Sequence, residues 1–146
     1  MLMRRSLSIL LLLLAGCGGN TTTAPTTSTD TGSTTTVSAP TTSEVWTSVL
    51  PVGGFKFYSF AVAVNGTVNI TLTQARGQFV PSTVQLAIGV GQPSGTDCTT
   101  TQTVTAAASA TPQVTTTLGP GTYCARVADI GNLFAPATFV VQIDHP

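Results

Sequence analysis

Val68-Asn69-Ile70-Thr71-Leu72-Thr73 places an apolar side chain at every second position and a polar one between. Successive side chains of an extended strand point to opposite faces, so this alternation describes a strand with one face buried and one wetted. The pattern recurs outward along the chain. Val84, Leu86, Ile88 and Val90 alternate with Gln85, Ala87 and Gly89, and Tyr123, Ala125 and Val127 alternate with Cys124 and Arg126. Phe139, Val141 and Ile143 repeat it near the end. No segment has a helical period, and the alanines of 106–110 are too few and too Thr-flanked to make one.

Turn chemistry separates these runs. Asn65-Gly66 between two β-rich stretches is a hairpin signal, because both residues tolerate positive φ. Gly119-Pro120-Gly121 and Pro51-Val52-Gly53-Gly54 mark further turns. One run changes phase: Phe55 and Phe57 share one parity, whereas Tyr58, Phe60, Val62 and Val64 share the other. A bulge near Phe57 and Tyr58, or a strand covered on both sides, accounts for that. Seven or eight short strands joined by such turns predict an all-β fold, an antiparallel β-sandwich that is jelly-roll-like.

This body is expected over residues 44–146, which hold Trp46, all six Phe and both Tyr. Residues 20–43 differ sharply: 12 are Thr and 4 are Ser, with Pro25 and Pro40 and no apolar periodicity. Such a stretch cannot bury enough surface to offset its ordering entropy, so a disordered tether is expected over residues 17–43. As a flexible coil, residues 18–43 would span roughly 28 Å, or about 80 Å if drawn into polyproline II.

The first residues read as a targeting segment. Arg4 and Arg5 precede an apolar run over 7–15, too short for a permanent membrane span, which needs roughly 20 residues. The run ends in Leu14-Ala15-Gly16-Cys17, which resembles the lipobox of bacterial lipoprotein signal peptides. The resemblance implies a signal peptide over 1–16, cleavage after Gly16, and a lipid-bearing Cys17 that anchors the chain to a membrane. Gly18 follows where an acidic residue would resemble an inner-membrane retention signal, which favours the outer membrane of a bacterial cell envelope. The alternative is an ordinary secretory signal with a Cys at its end by chance.

With Cys17 taken, Cys98 and Cys124 can pair in only one way outside the inner membrane. The pair would tie a loop over 92–101 to the strand carrying Tyr123. Two separate buried thiols are the other possibility.

A second resemblance rests on two stretches. Phe57-Tyr58-Ser59-Phe60 followed by Asn65-Gly66-Thr67-Val68 resembles the opening of bacterial pre-peptidase C-terminal domains. Gly119-Pro120-Gly121-Thr122-Tyr123 followed by Ala125-Arg126-Val127 resembles their close. The resemblance implies a compact β-sandwich, often appended to secreted enzymes and not itself catalytic, with roles in secretion, substrate adherence or surface display. Lys56 stands where that family often has an acidic residue, so no calcium or ligand residue carries over.

Charge narrows the function classes. Only 7% of the chain is charged, against about 25% in an average protein. Without Arg4 and Arg5, 3 cations face 5 anions, a net charge near −2. That excludes nucleic-acid binding driven by counterion release.

Catalytic material is equally sparse. A Ser-His-Asp triad would need His145, the only His, to be held rigidly one residue from the end; a mobile polar tail is expected instead. Asp129 and Asn132 could form a calcium site with backbone carbonyls, but a solvated loop is the default. No metal and no cofactor are expected. Asn20, Asn65 and Asn69 match the Asn-X-Thr acceptor pattern by chance in Thr-rich sequence.

Among Trp46, Phe55, Tyr58, Phe79 and Phe134, a candidate aromatic platform, Phe79 and Phe134 stand out. Each lies among Gly and Pro in an expected loop, 74–82 or 130–136. They are the candidate ligand-binding residues of a non-catalytic binding or adhesion module for glycan, peptide or an envelope protein. The rival function is a structural accessory for envelope assembly or display, and a small hydrolase comes third.

Overall fold

The alternation becomes eight strands and no helix in the computed structural model, which describes residues 36–146. They are β1 (Thr42–Leu50), β2 (Phe55–Val62), β3 (Gly66–Arg76), β4 (Leu86–Ser94), β5 (Asp97–Ala106), β6 (Val114–Leu118), β7 (Gly121–Ala128) and β8 (Ala137–His145). The expected signal peptide, the lipid site Cys17 and most of the expected tether lie outside the described residues. Residues 38–43, also expected in the tether, belong to the body. Ser38 bridges Gly66, and the Thr41 N–H donates to the His145 carbonyl at 3.0 Å.

One sheet has the order β1-β8-β3-β6 and the other β2-β7-β4-β5, with all neighbours antiparallel. First pairs with last, second with seventh, third with sixth and fourth with fifth, so the chain is one long hairpin wrapped over two sheets. That is the jelly-roll arrangement. The sheets enclose a core of fully buried Leu50, Val68, Ile70, Leu72, Leu86, Ile88, Val127, Phe139, Val141 and Ile143. Each such side chain contributes about 1.5–3 kcal/mol by leaving water.

This order sends the connections alternately to two ends. Residues 51–54, 77–85, 107–113 and 129–136 gather at one, the loop end. The short links 63–65, 95–96 and 119–120 lie at the other, the terminus end, with Ser38 and Pro146.

Three local expectations change. Asn65-Gly66 does not close a hairpin, because β2 and β3 lie in different sheets. Gly66 is needed for close approach: a Cβ there would collide with the Ser38 carbonyl and the Pro146 ring. β2 has no bulge, its register with β7 being continuous from Phe55↔Ala128 to Val62↔Gly121. Its phase change arises because Phe55 and Phe57 face outward, where the Arg126 guanidinium carbon lies 4.2 Å from the Phe55 ring centroid.

The bulges fall instead at Thr73 and Thr101, each skipped by its partner strand. In both, the Thr hydroxyl donates across the interruption, to the Val140 carbonyl at 3.2 Å and the Val90 carbonyl at 3.3 Å. A side-chain donor thus occupies a carbonyl at each break in the ladder.

Third, residues 92–101 are not a loop but the end of the β4–β5 hairpin. β4 leaves β7 after Gly91↔Cys124, and the hairpin curls so that Cys98 meets Cys124, with S–S 2.07 Å and Cα–Cα 6.0 Å. Gly91 permits the curl, since a Cβ there would overlap the Thr99 carbonyl. Cys124 shares its parity with Arg126, whereas Tyr123, Ala125 and Val127 face the core; the disulfide therefore pins the hairpin tip against the outer face of its sheet.

Candidate functional site

The loop end is organised by one carboxylate. Asp129 Oδ1 accepts from the N–H groups of Gly131, Asn132 and Leu133 at 3.0, 2.9 and 3.2 Å, and Oδ2 accepts from Gly53 at 2.8 Å. The Asp129 N–H donates to the Gly54 carbonyl, and Asn132 Nδ2 donates to the Gln85 carbonyl at 3.1 Å. Three loops, 51–54, 77–85 and 129–136, are thereby joined. Burial opposes ionisation of Asp129, but the backbone donors outweigh it and hold the carboxyl below its ordinary range. The calcium alternative gives way to this arrangement: the Asp129 oxygens are engaged by N–H groups, and the Asn132 amide is turned to a carbonyl.

The fourth loop is held by a side chain that imitates a strand. Gln113 Oε1 accepts from the Leu72 N–H at 2.7 Å, and its Nε2 donates to the Leu72 carbonyl at 3.2 Å. The short β6 ends at this level, so a side-chain amide continues the pairing along β3.

Apolar side chains project from this framework. Leu133 and Val84 turn inward and are buried. Phe134 and Phe79 turn outward, 89% and 77% exposed, accompanied by Ile130 at 47% and Val52 at 51%. Phe79 has φ 63°, a left-handed conformation that costs an aromatic residue about 1–2 kcal/mol. The turn closed by Val80 N–H to Gly77 carbonyl, 3.3 Å, holds it there.

The other candidate aromatics do not join them. Trp46 packs edge-on against Phe139, centroids 4.8 Å apart, and stacks on Tyr58 at 5.9 Å, both contacts belonging to the core margin. Phe55 lies on the outer face with Arg126. Of the five-membered platform, only Phe79 and Phe134 share an exposed setting in the end loops.

His145 is the main correction to the sequence reading. It is not a mobile tail: β8 carries it in phase with Ala137, Phe139, Val141 and Ile143, and it is 5% exposed. Its Nε2 lies 2.9 Å from Glu44 Oε1, and the Tyr58 hydroxyl donates to Glu44 Oε2 at 2.7 Å. The imidazole also lies against Phe60, with centroids 5.4 Å apart. The Tyr58 hydrogen bond holds the Glu44 carboxyl below its ordinary range against a smaller effect of burial, and the same bond raises Tyr58.

Continuing the alternation of Phe139, Val141 and Ile143 by one step points to His145. The same parity in β1 brings Glu44 in line with Trp46 and Leu50. This partly buried cluster links the two sheets, and no serine hydroxyl hydrogen-bonds the His145 ring among the described residues.

Two surface depressions, of about 270 and 290 Å³, include neither the His145 side chain nor the loop aromatics in their linings. The first is lined by Thr41, Ser43, Asn69 and Asp144 among others, the second by Gln92, Pro93, Ser94, Thr99 and Thr101. No protein-family model matches the chain, and no curated protein matches it either.

Proposed function

We propose that this chain is a non-catalytic contact module of the bacterial cell envelope, anchored by lipid at Cys17, outer membrane favoured. Its loop end meets a glycan, a peptide or another envelope partner. One observation carries the reading: Val52, Phe79, Ile130 and Phe134 are exposed on loops of one end that Asp129 and Asn132 tie together, opposite the entry of the chain at Ser38. Exposed apolar side chains on rigidly supported loops are the usual equipment of recognition surfaces. The resemblances support it too, the lipobox for the anchor and the pre-peptidase C-terminal domains for a β-sandwich without chemistry of its own.

The structural-accessory alternative has a different observation in its favour. β1 is an edge strand with no Lys and no Pro, and Val45 and Val49 are exposed along it. A long edge of that kind can pair with another chain.

The two readings separate in one experiment on the full chain produced in a bacterial envelope. Wild type is expected in the detergent phase and Cys17→Ser outside it. A glycan screen and pull-down are expected to give saturable binding that Phe79→Ala and Phe134→Ala abolish. Capture of a partner that survives both loop substitutions, but is lost on Val45→Lys in β1, would favour the accessory role.

A further inference from the structure

An edge strand presents a row of backbone N–H and C=O groups without a partner, and proteins protect such edges with a charge, a bulge or a short strand. Four strands are edges here, and three of them are protected. β2 carries Lys56 in the parity of its buried Phe60 and Val62, β5 is broken by the bulge at Thr101, and β6 is only five residues long. β1 has none of these. It runs for nine residues and pairs with β8 without interruption from Thr42↔His145 to Leu50↔Ala137. Its one charge, Glu44, is engaged by His145 and Tyr58.

Among the described residues, the chain that leads into β1 turns away from its open side. Ser38 bridges Gly66 at the start of β3, and β8 lies between β3 and β1. The outward row of β1 reads Ser43, Val45, Thr47 and Val49, all exposed, with the valines at 68% and 52%. This row is uncharged and places its valines evenly about Thr47. An antiparallel copy turned about Thr47 sets Val45 opposite the second copy's Val49, and Thr47 opposite Thr47. Such directly opposed β-branched pairs are the stabilising unit of a sheet. Glu44 then falls opposite the second copy's Leu50, so no like charges meet. Pairing stops at Pro51, which has no N–H to give.

From this geometry we infer that two copies of the chain join antiparallel through β1, about a two-fold axis at Thr47. The inference rests on the accessory reading of β1 and names its partner as a second copy. Backbone pairing supplies the attraction, and the opposed valines fix the register. A two-fold interface uses the same patch on both copies, which a row symmetrical about its own centre satisfies without a second surface. The two sheets that contain β1 become one continuous sheet, and the unprotected edge disappears from each copy.

The test uses the full chain carrying Cys17→Ser, so that no lipid holds copies together in a micelle, and thermal melts first show that each variant folds like this parent. Sedimentation over a concentration series is expected to show a reversible monomer–dimer equilibrium. Val45→Lys puts a charge into the paired row twice per dimer and is expected to weaken the dimer about tenfold. Thr47→Cys reads the axis directly and independently. Opposed residues of an antiparallel pair have Cα atoms about 4.5 or 5.5 Å apart, within disulfide reach, so oxidised glutathione is expected to give a covalent dimer. Cys98 and Cys124 are already paired, which leaves the added thiol to report alone. Thr117→Cys, exposed on β6 at the other edge of the same sheet, is expected to give no such dimer.

A chain that stays monomeric at every concentration, a dimer indifferent to Val45→Lys, or cross-linking at 117 equal to that at 47 would each overturn self-pairing through β1. If the monomeric chain still captured an envelope partner and lost it on Val45→Lys, the accessory reading would stand and only the second copy would fall.

Discussion

At the terminus end, Ser38 accepts from Thr67 and donates to Asn65, the Ala63 N–H reaches the Pro146 carbonyl, and the disulfide pins the β4–β5 tip. Glu44, Tyr58 and His145 tie the two sheets within the fold. At the loop end the ties converge on Asp129, and two phenyl rings stand in water. The two ends of one sandwich thus divide the work. Short links leave no room for display and are used for closure, whereas longer connections extend past the sheets and can be shaped for contact. If the loop end is the contact surface proposed above, stability and recognition are separable here, and substitutions at the two ends should fail in different ways.

The sharpest break of that contrast is at the disulfide. Cys98→Ser with Cys124→Ser opens a closure across 26 residues, which on the chain-entropy model removes about 3.5 kcal/mol. Urea unfolding is expected to show that loss, with the loop-end contacts intact in the molecules that remain folded. A loss much below 1 kcal/mol would show that hairpin packing, not the cross-link, closes this end.

Acid separates the ends further. Glu44 and Asp129 both have folded pKa values below their ordinary 4.5 and 3.8. For a lowered carboxyl, the stabilisation is complete above the ordinary value and is lost as pH falls through the folded one. Tyr58, raised above 10.0, has the opposite sign: its contribution is present below that value and is lost as pH rises through the folded one. Melting temperature against pH is therefore expected to fall on both flanks. Glu44→Gln should flatten the alkaline flank and part of the acid flank, while Asp129→Asn should flatten only the acid one. An alkaline flank unchanged in Glu44→Gln would refute the coupling to Tyr58.

The smallest effect has an unusual sign. Phe79→Asn relieves an aromatic residue of positive φ and is expected to raise stability by about 1 kcal/mol, because Asn tolerates that conformation better. The same substitution removes a ring from the contact surface. A more stable protein with weaker binding would join the two halves of the contrast in one residue, and a destabilised one would mean that the ring packs more than its exposure indicates.

Much of the fold was legible because alternation is local. The runs around Ile70, Ile88, Val127 and Val141 all became inward-facing strand positions. Cysteine counting found the disulfide, because two thiols remained once Cys17 was assigned elsewhere. The misreadings share a cause. Asn65-Gly66 carries hairpin chemistry, but β2 finds β7 and β3 finds β8 and β6. Residues 92–101 looked like a loop because Pro93 and Gly95 interrupt them, yet the strands continue into a tight turn. His145 looked free because chain ends usually fray, whereas β8 lies between β1 and β3 along its length. Phe79 and Phe134 were legible as loop aromatics, but Asn132 as the residue that joins their loops, and Asp129 as the one that adds loop 51–54, were not.

Strand content, the identity of the buried face and the availability of one cysteine pair follow from the sequence by itself, since each depends on neighbouring residues or on a count. Partner choice, the burial of His145 against Glu44 across 101 positions, and the gathering of four separate loops at one end were decided only in the tertiary structure. The physical reason is that backbone pairing groups are alike at every residue. Local chemistry can make a strand, but only the mutual fit of distant strands around a common core selects which two edges meet.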